Sequence, residues 1–294
     1  MEIFYKYHYP FSVLGLSEKV QLLLIESEKN NQAEILKKIF GYLDLTSLNS
    51  TDSTEKIKEM CLKVNDFQKK YPAFPNVAAI CVYPNLVSTV KKNLKVNTIA
   101  IASVAAGFPS SQTFLKVKID EVNMAIENGA NEIDIVISLG EFLQGNYQVV
   151  FDEIAAIKET MGHHHLKVIL ETGALIDPLK IWEASILAMH AGADFIKTST
   201  GKIQPAATIE AAVVMTEAIK SYSAENGKKV GFKPAGGIST RKDALNYYTT
   251  VESILGVEWL NSKLFRIGAS SLANNLLNDF NEIETGNITS VNYF

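Results

Sequence analysis

The stretch GADFIKTSTGK, residues 192–202, sets a lysine directly behind Phe195 and Ile196 and follows it with Thr198, Ser199, Thr200, Gly201 and Lys202. The apolar lead reads as a short buried strand, and the small polar residues read as the loop at its end. An ammonium buried in such a strand is costly unless it is paired or its pKa is lowered. Lys197 is therefore either a surface residue at a misplaced strand end or a working amine.

The same pattern recurs along the chain. Strand candidates are GYLDLT (41–46), VAAICVYP (77–84), TIAIASVA (98–105), EIDIVIS (132–138), LKVILETG (166–173), DFIKTST (194–200), VGFKPAG (230–236) and LFRIGAS (264–270). Between them the spacing turns helical, as in Leu115, Ile119, Val122 and Ile126, closed by Gly129. A second helix opens on Asp177 and Pro178, lines up Leu179, Trp182, Ile186 and Met189, and stops at Gly192. Eight strands alternating with helices predict an α/β fold, a (βα)8 TIM barrel. A doubly wound open sheet is the alternative, because periodicity does not reveal closure. The expected organisation is an N-terminal helical extension over 1–38, a barrel over 39–280 and a C-terminal tail over 281–294. Val20, Leu22, Leu23, Leu24 and Ile25 in the extension suit a cover over the barrel or an interface.

Composition narrows the function classes. A chain of 294 residues, 47% hydrophobic and 20% charged, can bury a large core and is not a disordered protein. A net charge of −4 offers no general attraction to nucleic acid or acidic membrane, while small anionic substrates remain open. Cys61 and Cys81 show neither CxxC nor Cys/His metal spacing, which suggests a reducing compartment and no structural zinc. The start MEIFYKYHYPFSVLG lacks the pattern of a signal peptide, and no stretch has the length of a membrane span, so a cytoplasmic location is expected. His163, His164 and His165 are adjacent and cannot all face one ion in a regular element; they read as a helix-to-strand loop.

In a (βα)8 barrel, reactive groups sit at the C-terminal ends of the strands, and the loops after the last two commonly hold phosphate. Asp44, Asp134, Glu171, Lys197 and Lys233 all fall near such ends. Lys197 and Lys233 lie about one βα unit apart, so they can face one mouth from adjacent strands. Two ammonium groups held close repel, which depresses at least one pKa, and a neutral lysine can form a Schiff base with a carbonyl substrate.

Taken in order, LDLTSLN, AAICVYPNLV, GANEIDIVI, KVILETG, GADFIKTSTGK, VGFKPAGGI and RIGASSL resemble the deoxyribose-phosphate aldolase family, class I aldolases on a (βα)8 barrel, over roughly residues 40–275. The resemblance implies Lys197 as the Schiff-base lysine, Lys233 as the second lysine and Asp134 as the acid/base aspartate. It implies reversible cleavage of 2-deoxy-D-ribose 5-phosphate to D-glyceraldehyde 3-phosphate and acetaldehyde, with no metal or organic cofactor. Asp44, Thr46 and Asn49 resemble the family's first-strand polar cluster, placed to bind or relay to substrate hydroxyls. A homodimer is also a family expectation.

Three small-residue loops, TSTGK, AGGIS and GASS, suit phosphate through close backbone approach and hydrogen-bond donors, with Lys202 supplying charge. They assign Gly201, Lys202, Gly236, Gly237, Ser270 and Ser271 to that group. Some members of the family carry arginine where GGIST places Ser239; Arg241 is the neighbouring substitute. Cys81 reads as a core residue near the mouth. In the tail SVNYF, Tyr293 is penultimate, whereas some members end in a tyrosine that reaches the active site, so Tyr293 is a candidate tail acid/base. Two other readings stay open: a class I aldolase for another sugar phosphate, and a non-catalytic sugar-phosphate-binding barrel.

Overall fold

The computed structural model describes residues 1–287 and 290–294. Eight strands form, each inside one of the apolar runs or one residue from it: β1 (Leu43–Thr46), β2 (Ala79–Val82), β3 (Ala100–Val104), β4 (Glu132–Val136), β5 (His165–Ile169), β6 (Phe195–Lys197), β7 (Gly231–Lys233) and β8 (Ile267–Ala269). Every pairing is parallel, in the order β7-β6-β5-β4-β3-β2-β1-β8. Closure comes from backbone bonds between β7 and the chain entering β8: Phe232 N to Leu264 O at 2.9 Å, Arg266 N to Phe232 O at 3.1 Å and Gly268 N to Pro234 O at 2.9 Å. Those bonds decide for the barrel against the open sheet.

The helices are α1 (Val13–Ser27), α2 (Ala33–Phe40), α3 (Thr54–Lys70), α4 (Val87–Asn93), α5 (Leu115–Glu127), α6 (Leu139–Leu143), α7 (Tyr147–Met161), α8 (Thr172–Leu175), α9 (Pro178–His190), α10 (Ile209–Asn226), α11 (Arg241–Leu255) and α12 (Leu272–Thr285). Their starts follow local chemistry. The Asp177 carboxylate accepts from Leu179 N ahead of Pro178 in α9, and Thr240 and Asp243 form a capping box on α11. Among the described residues no helix is long and apolar enough to cross a membrane.

The N-terminal segment lies on the outside of the barrel. Helix α1 packs on α10 and α11, where Ser27 Oγ donates to Asn246 Oδ1 at 2.6 Å, and Asn30 donates to Thr249 and Glu252. Helix α2 buries Leu36, Ile39 and Phe40, so it runs two residues past the expected end at 38. Helix α12 likewise continues past 281, because Phe280 packs edge-on against Phe74 and the helix is not stopped until Gly286, at φ +71°.

The barrel interior departs from the usual filling of branched aliphatic side chains. Alternate residues on β1, β4, β5, β6, β7 and the entry to β8 bring Asp44, Glu132, Asp134, Lys167, Lys197, Lys233 and Arg266 together, all buried. Side chains alternate along a strand, so residues two apart share a face, as Glu132 and Asp134 do on β4. Gly231 makes room in this interior: a Cβ there would overlap the ring of Phe195, its register partner on β6.

Candidate active site

Asp134 is the hub of the charged interior. Its Oδ2 lies 2.8 Å from both Lys197 Nζ and Lys233 Nζ, and its Oδ1 accepts from Lys167 Nζ at 3.1 Å. Lys233 also pairs with Asp44 Oδ2 at 2.5 Å, and Asp44 Oδ1 accepts from Arg266 Nη1 at 2.6 Å. Arg266 Nη2 and Lys167 Nζ both reach Glu132, at 2.8 and 2.5 Å. Each buried charge thus has an opposite partner, which is what makes burial of seven of them tolerable.

The network drives the two lysines apart electrostatically. Burial pushes the Lys197 pKa down; Asp134 works against this, Lys233 adds to it, and the net direction is downward. For Lys233, burial also opposes the charge, but Asp134 and Asp44 outweigh it and its pKa is raised. Burial would raise Asp134, yet Lys167, Lys197 and Lys233 hold it well below the usual carboxylate range. One site therefore holds an amine biased toward neutrality beside an ammonium and a carboxylate that stay charged.

Above this network opens a cavity of about 330 Å³, and Lys197 lies in its lining. The sequence candidates Thr46, Asn49, Gly201, Lys202, Gly236, Gly237, Ser270 and Ser271 all line it. The glycines have a steric reason. Gly236, at φ +92°, would bring a Cβ to 2.7 Å from Ala206 Cβ and 2.8 Å from Ser199 Oγ. Among the described residues the backbone N–H groups of Gly201, Gly236, Gly237, Ser270 and Ser271 have no protein acceptor, which leaves a concave set of donors suited to an anion. Lys202 closes the rim by donating to Leu48 O at 2.6 Å.

Three candidates sit elsewhere. Asp44 lines no part of the cavity: it is fully buried and claimed by Lys233 and Arg266. Arg241 does not line the cavity either; it opens α11 and faces Glu282 at 3.9 Å. Tyr293 is docked on the outside of α3, where its hydroxyl donates to Lys63 O at 2.7 Å and its ring meets Phe67 and Tyr71 at 5.6 and 5.4 Å. Asn274 holds this tail, accepting from Tyr293 N and Phe294 N and donating to Phe294 O. Phe294 walls a second cavity that shares Thr46, Asn49, Ser270 and Ser271 with the first. His163 and His164 lie in the turn before β5, with His164 Nδ1 2.8 Å from Met161 O.

Lys167, Glu132 and Arg266 are missing from the sequence-derived candidates. Each sits in an apolar run, as Lys197 does, and the pairs Glu132/Asp134 and Arg266/Gly268 lie two residues apart on one strand face. A charge within an apolar run is the signal that could have found them, and for Glu132 so is its place two residues from Asp134.

Comparison with known proteins identifies the family. The chain matches the family described as DeoC/LacD family aldolase over residues 39–257. It is 42% identical to the deoxyribose-phosphate aldolase of Homo sapiens over 280 residues, covering 90% of this chain and 86% of that protein. It is also 42% identical to the Mus musculus protein of the same name over 264 residues, covering 85% and 81%. Among solved structures, the deoxyribose phosphate aldolase of Aeropyrum pernix superposes with a TM-score of 0.66 at 21% identity, over 90% of this chain and 97% of that one, and shows the shared fold. Fold and sequence likeness converge: the chain belongs to the DeoC/LacD family of aldolases.

Proposed function

We propose that the protein is a deoxyribose-phosphate aldolase, cleaving 2-deoxy-D-ribose 5-phosphate reversibly to D-glyceraldehyde 3-phosphate and acetaldehyde. The observation that carries this is Lys197, an amine depressed by burial in the lining of a cavity that three loops of free amides and small residues also line. The Lys197 nitrogen adds to the C1 aldehyde of the open-chain sugar, and the carbinolamine loses water to give an iminium. When the C3 hydroxyl gives up its proton, the C2–C3 bond breaks and its electron pair passes to the iminium, leaving an enamine and releasing the C3–C5 aldehyde phosphate. Protonation of the enamine carbon and hydrolysis return acetaldehyde and the free amine.

Lys233 stays charged and, with burial, keeps Lys197 reactive. Asp134 hydrogen-bonds both amines and is positioned to pass protons among the carbinolamine, the C3 oxygen and the enamine carbon. Gly201, Lys202, Gly236, Gly237, Ser270 and Ser271 take the phosphate, and Thr46 and Asn49 face the sugar hydroxyls. Asp44 supports the reaction through Lys233. The barrel is the catalytic unit, the N-terminal segment its cover and the tail a separate element. A cytoplasmic setting accords with two buried free thiols, and a homodimer is the family expectation, read by light scattering of the purified chain.

The test is direct. Incubation with 2-deoxyribose 5-phosphate yields glyceraldehyde 3-phosphate and acetaldehyde, and borohydride with acetaldehyde leaves an ethyl group on Lys197 in a peptide mass map. An adduct only elsewhere, or full activity in Lys197→Leu, removes the proposal.

A further inference from the structure

Directly after β5, three consecutive residues, Glu171, Thr172 and Gly173, touch the β6–α10 loop at three points. The Thr172 N–H donates to Thr198 O at 2.9 Å, where the loop leaves the strand. The Glu171 carboxylate accepts from Thr200 N at 3.1 Å and from Thr200 Oγ1 at 2.5 Å, at the loop's middle. Gly173 lies so close to the loop's far end that a Cβ would overlap the Pro205 carbonyl oxygen. Glu171 is fully buried and adopts φ +55°, ψ +58°, a left-handed conformation that a glutamate holds only where its surroundings impose it. It lines no part of the cavity.

We infer that Glu171 is a positioning residue for phosphate recognition, fixing the β6–α10 loop so that Thr200, Gly201 and Lys202 face the ligand. With the Thr200 hydroxyl proton committed to Glu171, its oxygen is free to accept from Lys202 N, which it does at 3.0 Å. That bond tightens the turn at Gly201, and Lys202 then crosses the mouth to Leu48. A carboxylate beside an anion site would repel the ligand, so its use here calls for geometry that only two acceptor oxygens supply. Lys197 does not depend on this brace: Leu170 N bonds Lys197 O, Thr198 N bonds Lys233 O, and Thr198 Oγ1 is held by Ala235. Losing Glu171 should therefore loosen the phosphate end and spare the amine.

This rests on the aldolase reading, and its test separates the two. In Glu171→Ala, kcat/KM for 2-deoxyribose 5-phosphate falls about tenfold or more, chiefly through KM, while kcat/KM for unphosphorylated 2-deoxyribose changes less than about twofold and acetaldehyde is still trapped on Lys197. Glu171→Gln, which keeps an acceptor for Thr200 N, recovers part of the loss. Equal losses on both sugars, or an unchanged ratio between them, overturn the inference. If Glu171→Ala does not fold, Glu171→Gln is compared with the parent by amide hydrogen exchange across 198–206. Faster exchange confined to that loop supports the brace, and unchanged protection overturns it. A parent that cleaves neither sugar sinks the aldolase reading alone, and the exchange comparison then still decides whether Glu171 holds the loop.

Discussion

Lys197 and Lys233, register partners on β6 and β7, share one oxygen of Asp134, each ammonium nitrogen lying 2.8 Å from Oδ2. A single carboxylate oxygen between two lysines serves both but cannot fully neutralise both. Of these two lysines Asp44 pairs only with Lys233, at 2.5 Å, so positive charge settles on Lys233 and Lys197 is the amine free to lose its proton.

Replacing Lys233 by leucine tests this division. The substitution removes a positive charge that pushes the Lys197 pKa down and leaves Asp134 Oδ2 to Lys197, so both effects raise it. Since the neutral amine is the nucleophile, the acidic limb of the kcat/KM profile moves to higher pH, and turnover at neutral pH falls on the order of a hundredfold or more. A pH–rate profile of Lys233→Leu against the parent measures both, and a limb that stays in place refutes the coupling.

Asp134→Asn has the opposite electrostatic sign on the amine. Asp134 raises the Lys197 pKa, so its loss leaves Lys197 at least as neutral and borohydride trapping with acetaldehyde persists. Proton transfer at the enamine carbon loses its nearest carboxylate and slows by about 100-fold to 10,000-fold. Deuterium entry into the acetaldehyde methyl group, followed by NMR, checks this; rapid exchange in the variant points to another base.

The eight strands were legible because parallel strands covered on both faces read as apolar runs, and Lys197 stood out against its own run. The buried network was not. Asp44 and Arg266 are 222 residues apart, and Glu132 and Arg266 are 134 apart, so Asp44 read singly as a charge near a strand end while Glu132 and Arg266 were passed over. Only closure of β8 onto β1 and β7 shows that they compensate one another. For the same reason the pairing of Asp44 with Lys233 and Arg266 was not legible, since position on a strand does not reveal what lies across the barrel. Arg241 was misplaced by proximity in sequence, because a residue two past Ser239 has already entered α11.

Lys202→Met isolates the charge at the phosphate end. Its backbone amide and the neighbouring glycines stay, while the lone cation contributed by the three loops is removed. A charge-assisted contact is worth about 1.5–3 kcal/mol, so KM for the phosphorylated sugar rises roughly 10-fold to 100-fold, with kcat much less affected. The parent's KM should also climb with salt more steeply than the variant's. Equal KM values would place the phosphate away from Lys202.

Gly231→Ala addresses stability. The added Cβ overlaps the Phe195 ring inside a closed barrel, where neither strand can move aside without breaking register. Overpacking of this kind costs about 1–3 kcal/mol, to be read as a lower urea midpoint at unchanged slope. An unshifted midpoint would mean that the interior around Phe195 has slack.

The tail poses the last question, because Tyr293 is docked away from the cavity by a hydroxyl bond to Lys63 O and by the grip of Asn274 on the main chain. A chemical role therefore requires the tail to leave this dock and swing over the mouth, with Phe294 quitting the wall of the adjoining cavity. Tyr293→Phe separates packing from chemistry, since it keeps the ring against Phe67 and Tyr71 and deletes only an exposed hydrogen bond. Stability then changes by less than about 1 kcal/mol, and trapping at Lys197 is retained. If the undocked tail supplies the acid/base hydroxyl, methyl deuterium exchange in Tyr293→Phe slows by about tenfold or more. Asn274→Ala, which frees the tail without touching the tyrosine, keeps that exchange at least as fast as in the parent. Equal exchange in the parent and Tyr293→Phe would leave the tail as a strap on α3 with no part in the reaction.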